Sequence, residues 1–129
     1  MLSISWAGST RSPVVVIGPL AIKFAKGRRG RVCNLYEADL YRKSGEARRE
    51  LLCPALWVFP FGLLLIQAAA VPLTDMMPIE EYLEMDSRWR NAELDNKPSP
   101  FEPKACDWGW FKGRRVALDY SLPAWEDEV

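Results

Sequence analysis

The stretch DWGWFKGRRVALDY, residues 107–120, has the pattern of a β-hairpin. Its first arm is rich in aromatic residues of the kind favoured on a pleated strand, namely Trp108, Trp110 and Phe111. Its second arm is the apolar run Val116-Ala117-Leu118. Between the arms, Lys112-Gly113 predicts the turn, because glycine readily adopts the positive φ that a two-residue hairpin requires.

A carboxylate stands at each end of this predicted hairpin, Asp107 before the first arm and Asp119 after the second. Because the two ends of a tight hairpin meet, we expect these side chains to lie close together. Adjacent carboxylates repel each other unless a cation or a shared proton relieves them, and carboxylate oxygens are suitable ligands for Mg²⁺. The pair is therefore a candidate metal site. The alternative is a solvated hairpin mouth with two ordinary surface acids.

Composition and charge limit the classes of function. With 129 residues, of which 49% are hydrophobic, the chain is suited to one folded domain with a modest core. The net charge is zero, but residues 1–50 are basic and the remainder is acidic. This separation fits a protein partner at least as well as nucleic acid. Because the sequence contains no histidine, imidazole catalysis and histidine metal sites are excluded.

The cysteines and the apolar runs bear on the cellular environment. Cys33, Cys53 and Cys106 are odd in number and lack metal-site spacing, so they predict reduced thiols in a cytoplasmic protein. The sequence does not open with a signal-peptide pattern. The longest uncharged run, residues 51–74, is cut by prolines into strand-sized pieces, so no membrane span is predicted.

The order of elements predicts an α+β fold. Alternation at Leu2, Ile4 and Trp6 indicates a first strand. Further strands are predicted at residues 14–17, 20–25, 55–59 and 63–69, and helices at 32–42 and 78–90. Together they indicate an antiparallel sheet of about five strands with one or two helices, followed by the C-terminal β-hairpin. Ile66 is expected to be buried in a central strand.

The stretch KGRRGR, residues 26–31, is interpreted as a basic loop broken by glycine. Arg28, Arg29 and Arg31 are its candidate contacts for a phosphate or for an acidic partner protein. The alternative interpretation is a solvated connector.

This order of strands, helix and hairpin resembles the protein-kinase-like fold. Ala21-Ile22-Lys23 is similar to the V-A-I-K motif, and Glu37 falls where the following helix places the partner of that lysine. Asp119-Tyr120-Ser121 resembles D-F-G, and Glu102-x-Lys104-x-x-Asp107 overlays the D-x-K-x-x-N of the catalytic loop. The resemblance covers residues 14–121 of a single small-lobe domain, 1–129, with an acidic tail at 122–129. It is greatest to small, divergent kinase-like proteins of bacteria and their phages.

The resemblance implies roles for several residues. Lys23 and Glu37 would bind the phosphates of ATP, Asp107 and Asp119 would bind Mg²⁺, and Glu102 would be the candidate catalytic base. The sequence also departs from the family pattern. No glycine-rich loop precedes Lys23, Ser121 replaces a glycine, and Glu102 and Asp107 replace an aspartate and an asparagine. Too few residues follow Asp119 for an activation loop or a substrate lobe.

Three functions are therefore expected to different degrees. The first is a non-catalytic binding or inhibitor protein on a truncated kinase-like scaffold, such as a phage protein that blocks a host defence complex as anti-CRISPR proteins do. The second is a remnant phosphotransferase that still binds ATP and Mg²⁺. The third is a nucleic-acid-binding module that uses basic side chains, namely Arg28, Arg29, Arg31, Arg48 and Arg49.

Overall fold

A computed structural model describes residues 2–6 and 10–122, and within these ranges it contains two antiparallel sheets and three α-helices. The predicted α+β class is therefore confirmed; the acidic end from residue 123 lies outside the described residues. In chain order the elements are β1 (Leu2–Ser5), β2 (Arg11–Ile17), β3 (Leu20–Ala25), α1 (Gly27–Lys43), α2 (Glu46–Arg49), β4 (Ala55–Val58), β5 (Leu64–Ala68), β6 (Val71–Pro72), α3 (Ile79–Ala92), β7 (Trp108–Phe111) and β8 (Arg114–Ala117). Short 3₁₀ turns lie at Pro60–Gly62 and Ala105–Asp107.

The larger sheet has five strands in the order β1-β2-β3-β5-β4, and each neighbouring pair is antiparallel. Helix α1 packs on one face of it, against β3, β4 and β5. Because side chains alternate along a strand, Lys23 of β3 and its cross-strand neighbour Leu65 of β5 lie on the face that α1 covers. Both are buried, together with Cys33, Asn34 and Glu37 of the helix.

The prediction that Ile66 is buried was wrong. Ile66 is only half-buried, whereas its neighbour Leu65 is fully buried. Successive strand residues point to opposite faces, so Ile66 lies on the face away from α1. The uniformly apolar run at residues 63–66 did not reveal which of its side chains faces the helix.

The hairpin forms a second sheet of three strands in the order β6-β7-β8. Its turn is confirmed: Lys112 and Gly113 both have positive φ, 50° and 79°, as a two-residue type I′ turn requires. The segment after β5 lies outside the strands predicted from the sequence. It becomes the edge strand of the second, with Val71 opposite Trp110.

The main hydrophobic core lies between the second sheet, α3 and the segment that follows α2. Its fully buried members are Leu51, Leu52, Met77, Trp89, Phe101, Trp108, Ala117 and Tyr120. Phe101 makes edge-to-face contacts with Trp108, at 4.8 Å between ring centroids, and with Trp89, at 5.9 Å. The backbone of β8 is tied to the segment after α2, because Ala117 N donates to the Leu51 carbonyl at 2.8 Å.

Helix α1 begins at Gly27, so the basic stretch predicted as a loop forms its first turns. Gly27 has a positive φ of 73°, which lets the chain turn directly from β3 into the helix. Lys26 N donates to the Thr10 carbonyl at 2.7 Å, and Gly30 packs closely against the same carbonyl. The glycines therefore allow a close approach of helix and strand. None of the described helices is long and apolar enough to cross a membrane.

Candidate functional site

Lys23 and Glu37 form the ion pair that the sequence predicts. Lys23 Nζ lies 3.0 Å from Glu37 Oε1, and both side chains are buried between β3 and α1. Lys23 Nζ also donates a hydrogen bond to the carbonyl of Leu118, just beyond β8. The pair thus joins the first sheet, the helix and the end of the hairpin.

Arg11 occupies the centre of the same site. Its guanidinium lies between two carboxylates: Nη1 is 2.9 Å from Glu37 Oε1, and Nη2 is 2.9 Å from Asp119 Oδ1. The Arg11 side chain is only 5% exposed, whereas that of Asp119 is 43% exposed. Arg11 also donates to Asn34 Oδ1 and to Ser121 Oγ, each at 3.3 Å. Two cations and two carboxylates therefore balance within one internal network.

The network favours the charged forms of Arg11 and Asp119. Burial alone would lower the pKa of Arg11, but the carboxylates of Glu37 and Asp119 raise it above its ordinary value. Burial alone would raise the pKa of Asp119, but Arg11 and Lys23 hold it well below its ordinary value. Glu37 receives a further hydrogen bond from the backbone N–H of Tyr120 at 2.9 Å. A fully bonded buried network of this kind fixes the geometry around it.

Asp107 lies next to this network but outside it. Leu118 N donates to the Asp107 carbonyl at 2.7 Å, which closes the hairpin mouth and confirms that Asp107 and Asp119 are brought together. Burial raises the pKa of Asp107 to about 7, and the negative charge of Asp119 contributes to the increase. A substantial fraction of Asp107 is therefore protonated at neutral pH.

A cavity of about 180 Å³ opens beside these two acids. It is lined by Thr10, Pro100, Phe101, Glu102, Lys104, Asp107, Asp119, Ser121 and Leu122. Glu102, the candidate base, lies at this cavity, where its carboxylate pairs with Lys104 at 3.1 Å. A strongly perturbed pKa beside a cavity marks the site as a functional candidate.

The arrangement does not fit the magnesium–nucleotide site that the family resemblance implies. The described residues contain no group of three or more acidic, cysteine or histidine side chains that could hold a metal. Asp119 is already neutralised by Arg11. A nucleotide phosphate would have to compete with Glu37 and the Leu118 carbonyl for Lys23.

The remaining predicted contacts lie elsewhere. Arg28, Arg29 and Arg31 lie in the first turns of α1 rather than in a loop, and they take no part in the Arg11 network. The helix has no acidic residue in its first turn and no side-chain cap at Lys26. The N-terminal end of a helix carries a partial positive charge, and the arginines add to it.

Two of the arginines named for nucleic-acid binding make contacts within the chain. Arg48 is buried and binds both carboxylate oxygens of Asp95, at 2.7 and 2.9 Å. Arg49 donates to the carbonyls of Tyr41 and Arg42, at 2.9 and 2.7 Å. Their partners are brought near by the packing of α2 against α3 and α1, which the sequence order alone does not show.

Sequence reasoning missed Arg11 and Asn34. Arg11 follows a Gly/Ser/Thr segment that has no strand pattern, and the β2 register shifts between Arg11 and Val14. Asn34 lies within the predicted helix but is fully buried, where its Nδ2 donates to the Lys23 and Gly62 carbonyls at 3.1 and 3.0 Å. The one feature of the sequence that indicates a role for Arg11 is its position as a lone arginine before the β-branched run 14–17.

No protein-family model matches this chain, and no significant match was found among curated proteins or solved structures. The function is therefore inferred from the chemistry of the site.

Proposed function

We propose that this chain is a non-catalytic protein that binds an acidic partner protein and uses a kinase-like arrangement as a scaffold. The observation that carries the proposal is the position of Arg11, whose guanidinium lies between Glu37 and Asp119. The groups that the family resemblance would assign to phosphate and magnesium are thereby neutralised by the protein itself.

The internal network supports a structural rather than a chemical role for these residues. Phosphoryl transfer requires cations aimed at the transferred phosphate and a positioned acceptor. Lys23 is directed at Glu37 and the Leu118 carbonyl, and Asp119 is directed at Arg11. The site thus fixes the hairpin against the first sheet, and no side chain of the network is left to hold a phosphate.

The start of α1 supports an acidic partner. Basic residues at a helix N-terminus are unfavourable for helix stability, whereas acidic residues or a capping side chain would be favourable. Local choices that oppose stability are expected where function requires them. Arg28 is exposed, and Arg31 is partly exposed, so both can contact a carboxylate surface. An inhibitor or adaptor that blocks a host defence complex is one form that such binding would take.

The test compares capture of partner proteins from a host lysate by the wild-type chain and by the double variant Arg28→Glu, Arg31→Glu. We expect the captured proteins to be acidic and their recovery to fall with added salt, because charge steers such association. The double variant should lose capture while its melting temperature stays equal or rises, since glutamate suits this end of the helix.

A matched control changes the same number of charges elsewhere. Lys97 and Lys112 are exposed and lie outside α1, so Lys97→Glu with Lys112→Glu should retain capture. If the control loses capture as fully as the α1 variant, net charge alone is responsible and the assigned surface is wrong. Recovery of nucleic acid in place of protein would overturn the choice of partner.

One observation favours a remnant phosphotransferase as a second candidate: Asp107, with its pKa near neutrality, lines a cavity next to Asp119. The test is a radiolabelled phosphate assay with ATP and Mg²⁺, together with a thermal-shift measurement. The first proposal expects neither turnover nor a shift in melting temperature. Turnover that disappears in Asp119→Ala would establish the second candidate instead.

A further inference from the structure

The face of the larger sheet opposite α1 is entirely apolar. One row of directly paired residues crosses all five strands: Ile4, Val15, Ile22, Ile66 and Trp57. Because directly paired residues of an antiparallel sheet share a face, this row forms one continuous stripe. Two neighbouring rows lie on the same face. In the row on one side of the stripe Leu2 pairs with Ile17, and in the row on its other side Phe24 pairs with Leu64. Among the described strand residues that share this face, none is charged.

The described residues of one copy leave this face partly exposed. Ile4 and Trp57, at the two ends of the row, are 51% and 52% exposed. The three central members of the row are each only partly buried. The α1 face is different, because there Ala21, Lys23, Leu65 and Gln67 are buried.

Strands that face solvent on one side normally alternate apolar and polar residues, whereas strands covered on both sides read as continuous apolar runs. The runs at residues 14–17 and 63–66 are of the second kind. The sequence is therefore suited to a sheet with a layer on each face, and among the described residues of one copy α1 covers one face only.

We infer that this face packs against the same face of a second copy, so that the protein is a two-fold symmetric dimer with its sheets face to face. From the sizes and exposures of these side chains, each copy offers roughly 700 Å² of apolar surface, which is close to the area per partner of a standard stable interface. Two such faces can pack at about 10 Å, the usual spacing of stacked sheets.

The charge of this face and of the whole chain is consistent with a second copy packing against it. A two-fold interface packs one surface patch against the same patch of the second copy, so residues near the axis meet their own copies and like charges there would repel each other. The described strand residues of this face carry no charge, and the net charge of the chain is zero, so two copies meet without electrostatic opposition. The dimer uses the face away from α1, and it is therefore independent of the binding surface proposed above.

The experiment measures the mass of the full chain by sedimentation equilibrium from about 1 to about 200 µM, a range that resolves micromolar dissociation constants. We expect a mass approaching twice the 14.7 kDa of one chain. Ile4→Lys and Trp57→Lys, tested separately, should each weaken the dimer by at least about 100-fold, because an unpaired charge is then buried in the interface.

Both substituted side chains are half-exposed in a single copy, so the variants should keep the far-ultraviolet circular dichroism spectrum of the wild type. The control is Leu94→Lys, which makes the same type of change at a fully exposed position outside the sheet and should leave the dimer intact. A wild-type chain that stays monomeric throughout, including one that pairs only with a different protein, would overturn the inference. So would a dimer that survives both Ile4→Lys and Trp57→Lys.

Discussion

At the scale of single residues, Arg11 is the side chain on which the site depends most. It supplies the positive charge that lies between Glu37 and Asp119, and it does so from a buried position at the start of β2. Glu37 is fully buried, so its charge is tolerable only while cations and hydrogen-bond donors surround it.

The first prediction concerns replacing Arg11 with methionine, which removes the charge but keeps a side chain of similar volume. Arg11→Met should lower the free energy of unfolding by about 3–5 kcal/mol, because buried Glu37 loses one of its two cations and Asp119 loses its ion-pair partner. Urea denaturation followed by circular dichroism measures the change. Arg42→Met is the control: Arg42 pairs with Asp39 on the surface, so its loss should stay below about 1 kcal/mol. A loss for Arg11→Met no larger than the control would show that the network adds no stability.

The second prediction concerns pH and Asp107. Its pKa is raised from 3.8 to about 7 by folding. Between these values the folded protein keeps a proton that the unfolded chain has released, so this carboxyl lowers stability progressively as pH rises from about 4 to about 7. Above about pH 7 Asp107 is ionised in the folded protein as well, and the full loss of stability is present.

Asp107→Asn removes the carboxylate and therefore the loss of stability that its ionisation causes. The variant should be more stable than the wild type by about 1–2 kcal/mol at pH 8, after allowance for solvent screening, and the difference should shrink toward pH 4. Urea denaturation of both proteins across this range provides the measurement. Asp75→Asn, at an exposed position, should show no such trend. A gain of equal size at every pH would contradict the assigned titration.

At the scale of elements, α1 packs closely against Thr10, the residue that precedes β2. Gly30 lies in the second turn of α1, where any side chain would meet the Thr10 carbonyl and lie 3.1 Å from Ala25 Cα. The same carbonyl accepts the hydrogen bond from Lys26 N that sets the start of the helix. The glycine therefore serves close packing rather than flexibility.

The third prediction follows from this contact. Gly30→Ala should destabilise the protein by about 2–3 kcal/mol through overpacking, although alanine is the better helix former by about 1 kcal/mol. Thermal and urea denaturation would measure it. In Gly45→Ala the nearest atom is the flexible end of Glu93 at 3.3 Å, so that control should change stability by less than about 1 kcal/mol. A stabilised Gly30→Ala would mean that helix and strand do not approach this closely.

At the scale of the whole molecule, the two sheets are joined by several independent contacts. Lys23 and Gln67 of the first sheet both donate to the Leu118 carbonyl beyond the second sheet. Tyr120, just after it, is fully buried and donates to the Cys53 carbonyl at 2.8 Å. These bonds cross between layers, so neither sheet is expected to unfold alone.

The fourth prediction tests this coupling through the aromatic core. Phe101→Ala should lower the free energy of unfolding by about 3–5 kcal/mol, because a large cavity is left between Trp89 and Trp108. Near- and far-ultraviolet circular dichroism should still report one coincident transition, at lower urea concentration. Met76→Ala, at an exposed position, is the control and should change little. Separate transitions for the two signals would show that the layers unfold independently.

Local chemistry was sufficient to predict most elements from the sequence. Lys112-Gly113 determines the type I′ turn through two positive φ angles, and the β-branched and aromatic runs determine the strands. The hairpin in turn brings Asp107 and Asp119 together. The Lys23–Glu37 pair was predictable because the family resemblance supplied the non-local partner, which spacing alone does not give.

Only the tertiary structure decided which charges meet and which face is covered. Arg11 reaches Asp119 across a separation of more than a hundred residues, and no pattern near Arg11 encodes that contact. The apolar run around Ile66 is equally compatible with either orientation of the strand, so the position of α1 alone determined that Leu65 is buried and Ile66 is left on the open face. Local preferences act over a few residues, whereas the pairing of charges and layers depends on how distant segments pack.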